Sequence, residues 1–254
     1  MKINALLIDL DGTVYEQGKL LPGIRESIDW LKEKKIPFKF CTNTTRKTIQ
    51  EIQQDLYKIG LSVSLKNIIS PIKTAIEYCR IKNYQSIEVV VPDEKILDSF
   101  SGFTITRQNP QAIVLGDLGV GFTHNLLTDL FKKILTGAQL IAMHKNRYWL
   151  TQRGLVLDLG PFVSALEYAT GTEAVIVGKP NPHFFKIAIN GWDIPTENIA
   201  MIGDDLIVDI QGAQNYGIKG VLVKTGKFRA EDLQTDKIQP DFVISSLADV
   251  MNIF

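Results

Sequence analysis

Only two cysteines, Cys41 and Cys79, occur in the 254 residues, too few for a disulfide framework or a four-thiolate metal site. Three histidines, His124, His144 and His183, show no ligand spacing, and none reads as a zinc ligand. No excess charge of either sign is present: 28 Lys and Arg balance 28 Asp and Glu, so the clustered basic excess of a nucleic-acid binder is missing. No apolar run approaches the ~18–20 residues of a membrane span. The opening Met1–Asp9 carries Lys2 and a short apolar run, but Asp9 and Asp11 interrupt it before a leader core is complete. No Pro/Gly/Ser linker, internal repeat or low-complexity tract divides the chain. These absences point to a soluble, cytoplasmic, globular enzyme or regulatory domain, without membrane or nucleic-acid partners.

Short runs rich in Ile, Val and Leu are bounded by turn residues: Ala5–Ile8, Phe38–Cys41, Ile87–Val91, Ala112–Leu115, Leu140–Met143, Val175–Val177, Ile199–Ile202 and Gly220–Val223. Runs without alternation fit strands buried on both faces of a parallel sheet. Between them lie helical periods: Ile24, Ile28 and Leu31; Ile49, Ile52, Leu56 and Ile59; Leu127, Leu130, Ile134 and Leu135. Strand and helix in alternation predict an α/β fold of βαβ units.

Polar residues gather where these runs end. Asp9-Leu10-Asp11-Gly12-Thr13 follows the first run, and ligands bind at strand carboxyl ends in open α/β sheets. If both aspartates lie on the strand they share a face. At ~4 Å and an effective dielectric near 20 their charges repel by about 4 kcal/mol, so the pair keeps a proton or holds a cation. Thr42-Asn43-Thr44-Thr45, with Arg46 nearby, offers hydroxyl, amide and backbone donors to phosphoryl oxygens; a helix N-cap is the other reading. Val177-Gly178-Lys179-Pro180 is expected to close a third strand, with Lys179 at its tip and Pro180 opening a helix. Gly203, Asp204 and Asp205 close a fourth, with Asp209 one helical turn on; the cluster suits a hard cation such as Mg²⁺, while the favourable charge of an Asp in a helix's first turn would by itself explain Asp205 but not the whole set. Four strand ends thus direct carboxylates, small donors and one lysine to one sheet edge.

In order and separation, these four motifs resemble those of the haloacid dehalogenase (HAD) superfamily of phosphatases. The insertion between the second and third resembles the C2 cap of the subclass with NagD-like and p-nitrophenylphosphatase-like members. Further stretches similar to that subclass are Ile141–Lys145 through Tyr148, Gly160–Phe162 through Ala165–Ala169, and Gly212–Gln214 to Lys224–Lys227. The resemblance implies a Rossmann-like core from residues 1–73 and 178–254, and an α/β cap over 74–177. It implies a phosphatase acting on a small phosphorylated substrate, a phosphoamide or pyrophosphate among the candidates. Asp9 would be the nucleophile, forming an aspartyl-phosphate, and Asp11 the acid and base. Mg²⁺ would be held by Asp9, the backbone carbonyl of Asp11, and Asp204. Thr42, Asn43, Thr44 and Lys179 would bind the phosphoryl oxygens, with Asp205 and Asp209 behind them. Arg147 and Tyr148 of the cap would meet the leaving group, and Asp158 either faces the cleft or is a buried, hydrogen-bonded polar residue. Related phosphatases often pair through their caps, and the balanced charge permits such a homodimer, though the sequence itself does not specify an oligomeric state. Three readings compete: a dehalogenase, which needs no such metal cluster; a signalling receiver, about half this length; and a catalytically silent phosphate-binding or regulatory protein on the same fold.

Overall fold

A computed structural model describes residues 2–151, 154–234 and 238–254. The chain divides into two compact units: residues 1–42, 49–69 and 179–254 form the first, and residues 43–48 and 70–178 the second. Asn43 and Thr44, expected in the core segment, therefore group with the second unit. The cause is local. Arg46 donates to Asp117 Oδ2 from Nε at 3.0 Å and from Nη2 at 2.6 Å, and Asp117 N donates to Thr45 Oγ1 at 3.3 Å.

The first unit is built on a parallel sheet. Its strands, in spatial order, are Phe242–Ile244, Lys219–Val223, Ile199–Gly203, Ala5–Asp9, Phe38–Cys41 and Ile68–Ile69. Leu7 pairs in register with Met201 on one side and with Lys39 on the other. The unalternated runs have a direct cause in the core. Leu6, Ile8, Ala200 and Ile202 pack into one cluster with Ile24, Ile28 and Leu31, whereas Ala5, Leu7, Ile199 and Met201 pack on the opposite face with Phe184 and Phe185. Both faces of these strands are buried, so both sets of alternating positions are apolar. Strand order reverses at the Ala5–Asp9 and Ile199–Gly203 pair, and crevices form at the carboxyl ends of such switch points.

The second unit carries a parallel sheet in the order Val175–Ile176, Gln139–Ala142, Ala112–Leu115, Ser86–Val90 and Thr104–Ile105. An antiparallel hairpin, Tyr148–Thr151 with Gly154–Leu157, forms a separate two-stranded sheet in the same unit. Its core joins Ile87, Ala112–Leu115 and Leu140–Met143 to Leu130 and Ile134 of the His124–Leu135 helix. Leu135 of that helical period is instead 58% exposed, because it follows Ile134 by about 100° around the axis. Among the described residues, no helix is long and apolar enough to cross a membrane.

Candidate active site

Asp9 is the last residue of its strand and is buried, at 7% exposure. Asp204 directly follows the Ile199–Gly203 strand on the neighbouring parallel ladder, so both carboxylates emerge at the same sheet edge. Asp209 lies on a single π-helical segment, Leu206–Gln211, which packs it back against Gly203; a side chain at Gly203 would occupy the space its carboxylate fills. Carboxylate oxygens of Asp9, Asp204 and Asp209, all three buried, come within 4.8 Å of one another.

Lys179 answers this charge. It is 2% exposed, and its Nζ donates to Asp9 Oδ1 at 2.5 Å, to Asp209 Oδ1 at 2.6 Å and to the Cys41 carbonyl at 3.2 Å. It does not reach the site from a strand tip of this sheet. The Val175–Ile176 strand before it belongs to the second unit's sheet, and the following helix starts at Pro182 rather than Pro180, capped by Asn181 Oδ1 accepting from His183 N at 3.0 Å. An Asn with a following Pro supplies both cap and first-turn geometry, which Pro180 lacks.

The electrostatics follow from three buried carboxylates, of which Asp9 and Asp209 share the Lys179 ammonium while Asp204 lies beside Lys227. Burial disfavours the charged form and pushes Asp9 up to about 6 despite the pull of Lys179. It pushes Asp204 up to about 6, with Asp209 adding repulsion, and Asp209 up to about 7 against the opposing Lys179. Lys179 moves the other way: burial lowers it, but Asp209 and Asp9 together outweigh burial, so it stays an ammonium. The site holds more negative charge than its own cation neutralises.

Asp11 lies beyond the strand, not on it. The Leu10 carbonyl accepts from Thr13 N at 3.3 Å, Val14 N at 2.8 Å and Tyr15 N at 3.2 Å, curling the chain into a turn, so the shared-face expectation for Asp9 and Asp11 does not hold. The exposed Asp11 carboxylate instead accepts from the Tyr15 hydroxyl at 3.3 Å. Asp205 is a helix cap, its Oδ1 accepting from Ile207 N at 3.2 Å and Val208 N at 2.9 Å, while Oδ2 accepts from Lys227 Nζ at 3.1 Å. Burial opposes its charge, yet Lys227 and these amides outweigh burial and hold it below the usual carboxylate range.

Thr42 is buried, and its N–H donates to the Ile69 carbonyl at 3.0 Å. Cys41 is a buried core residue whose thiol burial pushes up to about 12, which removes it as a nucleophile. In the second unit, the half-buried Asn43 lies beside Gly178, and Thr44 is also half-buried. Arg147 is exposed and Tyr148 is 57% exposed at the start of the hairpin; Gln152 and Arg153 lie outside the described residues. Asp158 is buried, caps the Leu159–Thr170 helix by accepting from Leu159 N at 2.8 Å, and lies 3.6 Å from His144 Nε2. The hydrogen-bonded structural reading of Asp158 accounts for these contacts.

The chain is 40% identical over 238 residues to the Bos taurus haloacid dehalogenase-like hydrolase domain-containing protein 2, covering 94% of this chain and 90% of that one. It belongs to the haloacid dehalogenase-like hydrolase family. The family model of that description matches residues 6–105 of this hydrolase, and a HAD-hydrolase-like model matches 176–250. It is also 31% identical over 258 residues to the Homo sapiens phospholysine phosphohistidine inorganic pyrophosphate phosphatase, covering 99% of this chain and 94% of that one. Among solved structures, the 4-nitrophenylphosphatase of Thermotoga maritima superposes with a TM-score of 0.91 at 30% identity, over 98% of this chain and 97% of that one.

The carboxylate donors fit a hard divalent cation: they are all oxygen, they carry surplus negative charge, and two of the three, Asp9 and Asp204, stand at the carboxyl ends of adjacent strands. Asp209 is committed to Lys179 and accepts from Asp205 N at 3.3 Å. Two groups that the motifs do not mark are Tyr15 and the backbone N–H of Lys227, which donates to Asp204 Oδ2 at 2.7 Å. A Thr-Gly pair one residue beyond a buried strand is the available signal for the latter.

Proposed function

We propose that this hydrolase is a Mg²⁺-dependent phosphatase that hydrolyses a small phosphorylated compound through an aspartyl-phosphate on Asp9. The buried cluster of Asp9, Asp204 and Asp209, two of whose carboxylates share Lys179, carries this reading, because its surplus negative charge calls for a cation. The similarity to proteins named as 4-nitrophenyl and phospholysine, phosphohistidine and pyrophosphate phosphatases supports it. Asp9, Asp204 and the backbone carbonyl of Asp11 would hold Mg²⁺. When bound, the ion offsets the charge of an anionic phosphate beside these carboxylates.

Lys179 fixes Asp9 through Oδ1 and favours its ionised form. An Asp9 oxygen forms a bond to phosphorus as the bond from phosphorus to the leaving group breaks, and the Asp11 carboxyl gives its proton to that leaving group. Asp11, now ionised, takes a proton from water; the water oxygen bonds to phosphorus, the bond to Asp9 breaks, and phosphate departs. The Tyr15 hydroxyl orients Asp11 through both steps. A positioned acid and base is worth ~10²–10⁴-fold. The role of Thr42, Asn43, Thr44 and Lys179 as donors to phosphoryl oxygens, and of Arg147 and Tyr148 in selecting the leaving group, rests on the family resemblance. The inserted unit, in this reading, is a C2-type cap, and the chain pairs as a cytoplasmic homodimer.

The test is phosphate release from p-nitrophenyl phosphate, pyrophosphate, phosphohistidine, phospholysine, pyridoxal phosphate, sugar phosphates and nucleotides, each with Mg²⁺ and with EDTA. Metal-dependent turnover is expected, strongest on one leaving group. A folded, Mg²⁺-loaded protein that releases no phosphate from any of them overturns the reading.

A further inference from the structure

Three consecutive residues after the Lys219–Val223 strand tie together the two loops that carry the carboxylates. Thr225 Oγ1 donates to the Gly12 carbonyl at 2.5 Å, Gly226 N donates to Glu16 Oε1 at 2.9 Å, and Lys227 N donates to Asp204 Oδ2 at 2.7 Å. Lys227 Nζ adds the bond to Asp205 Oδ2. Gly12 and Gly226 both have positive φ, +80° and +61°, and a methyl group on either would run into Asp204 Oδ2. The two glycine backbones therefore leave the space that the Asp204 carboxylate fills, and the Lys227 amide pins one of its oxygens. None of these groups is needed to hold the sheet, whose ladder ends at Val223.

A carboxylate that meets a cation through one oxygen depends on an outer hydrogen bond to fix its rotation. We infer that the Thr225-Gly226-Lys227 turn is a positioning clamp that sets this chain's affinity for a divalent cation. It restrains Asp204 through Oδ2 and locks the Asp11–Glu16 turn to it, so that the Asp11 carbonyl and the Asp204 carboxylate keep a fixed separation. The inference rests on the reading of Asp9, Asp11 and Asp204 as the Mg²⁺ ligands. Outer-shell partners of this kind typically contribute ~10–100-fold to metal affinity.

The experiment measures Mn²⁺ binding to the EDTA-stripped full chain by the electron-spin resonance of free Mn²⁺. Thr225→Val removes the hydroxyl with little change of shape, and Glu16→Ala removes the exposed acceptor of the Gly226 amide. Each is expected to weaken Mn²⁺ binding by about 10–100-fold with an unchanged metal-free unfolding midpoint. Thr225→Ser, which restores the donor, returns wild-type affinity. Gly226→Ala is expected to weaken binding further, and should it not fold, the first two variants still decide. Wild-type Mn²⁺ affinity in Thr225→Val and Glu16→Ala overturns the clamp and leaves the proposed function standing. So does a Thr225→Ser variant as weak as Thr225→Val. A wild-type chain that binds no Mn²⁺ overturns the metal assignment, and the clamp with it.

Discussion

Lys179→Met isolates the energetic role of the buried lysine. The side chain is 2% exposed and donates to Asp9 and Asp209 at 2.5 and 2.6 Å. Methionine retains most of the stem's packing and removes only the ammonium. Removing one partner of a buried ion pair typically costs about 3–5 kcal/mol, because the charge left behind is unsolvated. Here two carboxylates are left at once, and they have an escape: both already sit above the ordinary range, Asp9 at about 6 and Asp209 at about 7, and can take protons. The expected loss is therefore about 3–5 kcal/mol near pH 7.5 and clearly smaller near pH 5.5. Urea unfolding in EDTA checks this in a Trp149→Phe background, where Trp30 and Trp192, both in the first unit, report. Adding Asp209→Asn to Lys179→Met should recover part of the loss, since it deletes one of the stranded charges. A loss below about 1 kcal/mol near pH 7.5, or an equal loss at both pH values, would refute the reasoning that Lys179 neutralises this cluster.

Three further outcomes are expected. Asp9, Asp204 and Asp209 all titrate above the ordinary 3.8 of an aspartate in the folded chain, so it binds more protons than the unfolded chain between about pH 4 and 7, and their contribution to stability falls as pH rises through that window. A bound cation favours the ionised forms, so the rise in unfolding temperature on adding Mg²⁺ should be larger near pH 7.5 than near pH 5.5; a rise independent of pH contradicts this. Asp11→Asn should lower turnover by ~10²–10⁴-fold while Mn²⁺ binding persists, because only its backbone carbonyl is assigned to the metal. Replacing Arg147 or Tyr148 with Ala should redistribute activity across the phosphate panel more than it alters the Mg²⁺ requirement, and an unchanged profile removes them from the substrate's path.

The parallel sheet is legible in the sequence because its strands are buried on both faces, which makes Ala5–Ile8 and Ile199–Ile202 apolar at every position. The carboxylates of Asp9 and Asp204 are legible for a related reason: each follows such a run, and the carboxyl end of a buried parallel strand is where an α/β sheet meets its ligands. What the pattern does not carry is membership and curvature. Val175–Ile176 is too short for its sequence to say which sheet it joins, so the run alone puts Lys179 at a tip, whereas it is buried between two aspartates. The turn around Leu10 is made by three backbone N–H groups and leaves no side-chain signature, so Asp11 reads as part of the strand. Main-chain donors hide Lys227 for the same reason: its amide, not its ammonium, holds Asp204, and any residue except proline provides an amide.

That Asp9 carries the phosphoryl group is tested most directly by chemical capture. The Mg²⁺-loaded protein is mixed with ³²P-labelled p-nitrophenyl phosphate, quenched in acid within the first turnover, and digested. Acid-stable, hydroxylamine-labile label is expected on the peptide containing Asp9, and none in Asp9→Asn. Turnover by Asp9→Asn at the wild-type rate, or label on a different residue, would contradict it.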